Sequence, residues 1–201
     1  MGDRQAAGEQ QHGQARTRRN RQALVQAMLA LIRETGAPPI AEEVAERAGV
    51  SRRTVFRLFQ DMEAVHAAAH ELIQAEVTTR YPPPDLSALT PRERIAALVD
   101  HIGNVYEFVG PVRRMAEQQR HDSRVVAERL RTGRADQGRN LALAFADLLR
   151  SHDPDERATR LSAIRLLLDW QSWNNLRDSQ RLSVKRAKRT LEASLCQLLI
   201  P

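Results

Sequence analysis

The sequence predicts an all-α fold, and three observations carry that expectation. Alanine, leucine and arginine are abundant while aromatic residues make up 4% of the chain, a balance that favours helices over strands. Apolar residues recur at helical spacing, as in Leu24, Met28, Leu31 and Ile32. Helix-start signals punctuate the rest: Thr90-Pro91-Arg92-Glu93, Asp153-Pro154-Asp155-Glu156 and Ser183 each place a capping side chain before a helical run. About nine helices are expected, arranged as a three-helix head and a helical body.

Residues 1–15 are polar, with glycines at 2, 8 and 13 and no apolar period, and read as a disordered arm. The first helix is expected from Arg16 to near Gly36, with Arg16, Arg18, Arg19 and Arg21 in its first turn. Cations there oppose the helix dipole, which favours a phosphate-contacting role, with Arg18 and Arg19 as the residues assigned to it. Pro38 and Pro39 preset a second helix over residues 40–48, and a third follows over 52–60. A linking fourth helix spans residues 62–80, and Tyr81-Pro82-Pro83-Pro84 opens a linker through residue 89. Two helices are expected on either side of a break at Gly110-Pro111, ending near 109 and 119. Three more cover 123–150, 153–176 and 183–199. The corresponding domains are a head over residues 16–61 and a body over 62–201.

Residues 44–59, VAERAGVSRRTVFRLF, have the spacing of a helix-turn-helix within the span Ile40 to Phe59. Ala45 is small enough for two helix backbones to approach. Gly49 suits a left-handed residue at the end of the first of them, where a Cβ is penalised. Val50 plugs the turn, Ser51 caps the next helix, and Val55 faces back toward Ala45, with Val44, Leu58 and Phe59 completing an inner core. Ser51, Arg52, Arg53, Thr54, Phe56 and Arg57 are left facing outward as candidate contacts to duplex DNA. Charge agrees: residues 16–60 carry nine arginines against four glutamates, and most of the chain's net +6 lies there.

A recognition helix covers few base pairs, so a self-association that doubles the contacts and reads a palindrome is expected. Apolar residues of the last two expected helices, Leu161, Ile164, Leu168, Leu191, Leu195 and Leu198, are the candidate dimer interface. Tyr106, Phe108, Met115, Phe145, Trp170 and Trp173 are candidates to line a ligand pocket in the body. His66 and His70, with Glu63 one turn earlier, have a spacing that can hold zinc. No cysteine lies near to complete a site, so no metal and no cofactor is expected. Cys196 lies among leucines and reads as a small buried apolar residue.

The motif VAERAGVSRRTVFRLFQDMEAV resembles the TetR family of transcriptional regulators over about residues 20–75. Beyond residue 80 the resemblance rests on helix number and length. It implies a homodimeric repressor whose last two helices form a four-helix bundle with a partner's, and whose body holds a small-molecule effector. Two positions depart from the family pattern. Phe56 stands where the family usually has Tyr, and Met62 where it has Lys, and both usual residues donate to DNA phosphates. Arg53 occupies a position that is often glycine, where it is placed to restore a phosphate contact or read a guanine.

Neither a signal-peptide core nor a run long enough to cross a membrane is present, so a cytoplasmic protein with no membrane partner is expected. No phosphate loop, nucleophile elbow or HExxH occurs, which disfavours an enzyme. Two readings stay open: a ligand-released repressor of a palindromic operator, and a constitutive or architectural DNA-binding protein with a filled body.

Overall fold

The computed structural model describes residues 2–150 and 152–200 of the chain. All regular structure among them is helical: α1 Gly2–Thr35, α2 Ala41–Arg47, α3 Arg52–Leu58, α4 Met62–Arg80, α5 Pro91–Gln119, α6 Arg124–Ala144, α7 Pro154–Leu167, α8 Trp170–Asn174 and α9 Val184–Leu199. One π-helical turn, Asn175–Ser179, joins on to α8. The chain forms two compact units. One comprises residues 1–76 and 111–119, and the other residues 77–110 and 120–201. The division therefore falls inside α4 and inside α5 rather than at residue 61. None of the described helices is long and apolar enough to cross a membrane.

The number of helices agrees with the sequence expectation because one expected break is absent and one expected helix is divided. Residues 109 and 111 belong to one helix, because α5 continues through Gly110 and Pro111. An interior proline removes a backbone hydrogen bond at a cost of roughly 3 kcal/mol. Burial on both sides offsets it: Val109 packs on the core of the second unit, while Val112 and Met115 pack on that of the first. The helix expected over 153–176 is instead two. Asp169 caps α8 by accepting from the Gln171 amide at 2.9 Å, and the Leu168 carbonyl is diverted to Gln137 Nε2 at 2.8 Å and to the Tyr106 hydroxyl at 3.0 Å. The helix expected over 123–150 stops at Ala144, whose carbonyl accepts from Arg94 Nη1 at 3.2 Å. Residues 145–150 continue as turns, with Asp147 bonded to Arg94 at 2.6 Å and to the Leu148 amide. That guanidinium holds the Asp147 carboxyl below its usual range.

At the other end, α1 begins at Gly2, so the segment read as a disordered arm is helical. Its Ala, Gln and Glu content supplies helix propensity without any apolar face. Arg16, Arg18, Arg19 and Arg21 consequently lie within α1 and not in its first turn, and the dipole argument for them falls away.

The first unit closes around Leu24, Met28, Ile32, Val44, Val55, Phe59 and Val65, each 2% exposed or less. Ala45 and Val50 join them, as the motif requires. Met62 also packs against this cluster, which gives an apolar residue there a structural use. Gly49 has φ +68. Its amide bonds the Glu46 carbonyl and the Val50 amide reaches the Ala45 carbonyl, both at 3.0 Å, the paired bonds of a Schellman motif. Ser51 then caps α3 by accepting from the Thr54 amide at 3.3 Å.

A Cβ at Gly49 would meet nothing within 4 Å, so any penalty at this turn is one of backbone conformation alone. Gly49→Val should therefore destabilise the first unit by at least about 1–2 kcal/mol, whereas Gly49→Asn, which tolerates the left-handed region, should lose much less. Chemical denaturation of the two variants followed by circular dichroism checks the order.

Candidate nucleic-acid interface

Residue register on α3 decides which side chains face out. Val55 and Phe59, four apart, are buried at 0% and 2%, and this fixes Arg52, Arg53, Phe56 and Arg57 on the solvent side. Ser51 is also exposed and Thr54 half-buried, but their hydroxyls lie 3.0 Å apart at the cap. Both therefore serve the helix start first. All six candidates on this segment are thus gathered on or beside one face, as the motif reading expected.

The nine arginines of residues 16–57 fall into two groups. Several are engaged by the protein itself. Arg47 forms a two-pronged pair with Glu34 at 2.8 and 2.5 Å, tying α2 to α1, and it holds the Glu34 carboxyl below the usual range. Arg33 meets Glu76 at 3.3 Å. Arg52 Nε lies 3.0 Å from Glu42 Oε1. Arg21 stacks 4.0 Å over the Phe59 ring and donates to the Leu58 carbonyl at 2.8 Å, closing the C-terminal end of α3. Arg21 therefore has a structural task, although the sequence placed it with the phosphate-contacting cluster.

Arg16, Arg18, Arg19, Arg53 and Arg57 form the second group. All five are exposed, with no hydrogen bond or ion pair among the described residues. Free guanidiniums on α1 and α3 are chemically suited to phosphates and to the O6/N7 edge of guanine. Surface ion pairs such as Arg52–Glu42 contribute little to stability, so their effect here is to orient side chains.

Glu42, Glu34 and Leu58 are interface-shaping groups that sequence reasoning missed. Their partners are 10 to 37 residues away, and no local spacing announces such pairs.

In the second unit the candidate pocket residues separate. Tyr106, Phe145, Trp170 and Trp173 share one buried core. Tyr106 meets Trp170 edge-on with ring centroids 5.4 Å apart, and Gln137 Nε2 donates to the tyrosine oxygen at 2.8 Å. Trp173 donates to Glu107 at 3.0 Å, and that carboxylate is clasped by Arg177 at 2.8 and 3.0 Å. Phe108 is elsewhere, half-buried with Tyr81 at 5.7 Å and Arg80 at 5.2 Å. Met115 belongs to the first unit's core, so it does not line a pocket in the second.

Four of the six candidate dimer residues are already covered within the unit. Ile164, Leu168, Leu191 and Leu195 are at most 4% exposed within the unit's own core, and Leu161 and Leu198 are half-buried against it. Ala187, Leu191, Leu195 and Leu199 form a single stripe on α9 that this core consumes. Outward on α7 are Thr159, Ser162 and Leu166, the last 70% exposed. Among the described residues no group of three or more His, Cys, Asp or Glu side chains is placed to hold a metal ion.

Replacing Arg53 or Arg57 with Ala should leave stability unchanged, since neither side chain has an internal partner. If either reads a guanine, affinity for a preferred duplex should fall by about 1–3 kcal/mol, and only for duplexes retaining that base. Gel-shift titration against single-base variants, paired with thermal unfolding of each mutant, checks both parts.

No family model matches the chain, and no curated protein sequence does. Its structure is similar to the crystal structure of a transcriptional regulator from Rhodococcus sp. Rha1, with a TM-score of 0.71 over 89% of this chain and 95% of that one. The two sequences are 17% identical, and at that distance the likeness is one of fold.

Proposed function

We propose that this chain is a sequence-specific DNA-binding transcriptional regulator of the TetR type. It acts as a homodimeric repressor that leaves a palindromic operator when a small molecule binds its body. The observation that carries the reading is the outward face of α3. A Schellman turn and a serine cap fix that helix, and Arg53 and Arg57 project from it without internal partners. The all-helical fold shared with a protein described as a transcriptional regulator supports the same reading.

With Ile164, Leu168, Leu191 and Leu195 buried within the unit, the dimer contact is proposed on the outward side of α7. Thr159, Ser162 and Leu166 recur at three and four residues along α7, presenting one large apolar side chain beside small ones that let helices approach. Two copies would place two α3 helices on successive turns of one duplex face, which is how a palindrome is read.

A second reading has its own observation. Tyr106 packs on both Trp170 and Trp173, and the tyrosine and Trp173 side-chain polar groups are satisfied from within. A body filled in that way suits a constitutive DNA-binding protein. Thermal unfolding against a metabolite panel separates the two. A ligand at a hundredfold excess over its Kd adds roughly 2.7 kcal/mol, a visible shift, whereas the constitutive protein responds to none.

Leu166→Glu should give a folded monomer whose operator affinity has dropped, because two carboxylates facing each other across a two-fold axis repel. Light scattering at micromolar concentration, with circular dichroism as the folding control, checks this. A wild-type monomer would contradict the dimer.

A further inference from the structure

Phe56 is an unusual residue for its position. Its ring is on the solvent side of α3, 41% exposed, on the surface that also carries the free guanidiniums of Arg53 and Arg57. A phenyl ring offers phosphates no donor, and exposed aromatic surface is unfavourable in water. The ring is nevertheless held in place. Arg52, one turn earlier on α3, sits 5.5 Å over its centroid, and Glu42 on α2 grips Arg52 at 3.0 Å. The arrangement runs Glu42, Arg52, Phe56 across both helices of the motif. It engages the arginine and leaves the ring as the one large apolar side chain on the outward face of α3.

Base edges in the major groove present donors and acceptors, with one apolar exception: the C5 methyl of thymine. An apolar ring exposed on the face that enters the groove has that methyl as its complement. We propose that Phe56 is a sequence-reading residue that packs against a thymine C5 methyl, with Arg52 and Glu42 as positioning residues that fix the ring. The inference rests on the DNA-binding reading above and adds to it the base that α3 recognises.

The ring must lose water together with one methyl group, so the discrimination is modest. Burying a group of that size corresponds to a roughly three- to fivefold change in affinity per half-site.

Deoxyuridine in place of thymine removes the methyl and leaves every hydrogen-bonding atom, which makes it the appropriate probe. The full chain is titrated against its tightest duplex from a random library and against versions with each thymine replaced singly by deoxyuridine. Wild type is expected to lose about three- to fivefold at one thymine in each half-site. Phe56→Ala should abolish that loss at the same thymine while leaving other positions unchanged. Phe56→Leu, apolar and similar in reach, should retain part of it. Glu42→Gln should weaken the methyl dependence while the fold, followed by circular dichroism, is preserved.

Wild-type binding indifferent to every deoxyuridine would overturn the proposal. So would a methyl dependence that survives in Phe56→Ala, or a uniform loss across all duplexes in that variant, which would put the ring against the sugar–phosphate backbone. If the chain prefers no duplex over random DNA, the DNA-binding reading itself fails and this inference goes with it.

Discussion

The conformation of one residue, Gly49, governs what this molecule can present to a partner. With φ at +68 it terminates α2 and turns the chain so that the Val50 side chain enters the core. Ser51 is then left in position to start α3. The direction of α3 is set within those three residues. Its register follows because Val55 and Phe59 must both be buried. Once that is fixed, Arg53, Phe56 and Arg57 have only one side to occupy. A residue with a Cβ at position 49 would strain the turn without touching any neighbour, so the constraint is purely one of backbone geometry.

Electrostatics adds a second layer of sorting. The basic excess of the first unit is divided between arginines that brace the fold and arginines that remain open. Arg47 and Glu34 join α1 to α2, and Arg21 closes α3 through the Leu58 carbonyl and the Phe59 ring. With those tasks assigned, Arg16, Arg18, Arg19, Arg53 and Arg57 remain as free cations on α1 and α3, and an anionic polymer is their natural complement. The Glu42–Arg52 pair belongs to both layers, because it uses an exposed ion pair to orient an aromatic ring.

Signals confined to a few neighbouring residues were legible in the sequence. Gly49, Ser51, Thr90, Asp153 and Ser183 each act where they were expected to, as turn or cap. Signals that depend on distant partners were not. The end of α6 is set by Arg94 from 50 residues away, and the break before α8 by Tyr106 and Gln137 competing for one carbonyl. Pro111 illustrates the converse, a strong local breaker overruled by apolar burial on both sides of it. Leucine periodicity in α7 and α9 announced burial correctly, but periodicity alone does not say whether the covering surface is the same chain or another. Here the same chain covers Ile164, Leu168, Leu191 and Leu195.

The claim on which the rest depends is that the outward face of α3 reads base sequence. Selection of bound duplexes from a fully randomised library, followed by sequencing, tests it most directly. The account predicts an enriched palindrome whose half-site centres lie about one helical turn, roughly 34–36 Å, or a multiple of it apart. Each half-site should contain a thymine within reach of Phe56. Arg53→Ala or Arg57→Ala should enrich a motif changed at particular bases only. A library that emerges unenriched, or a motif identical in wild type and both arginine variants, would contradict it.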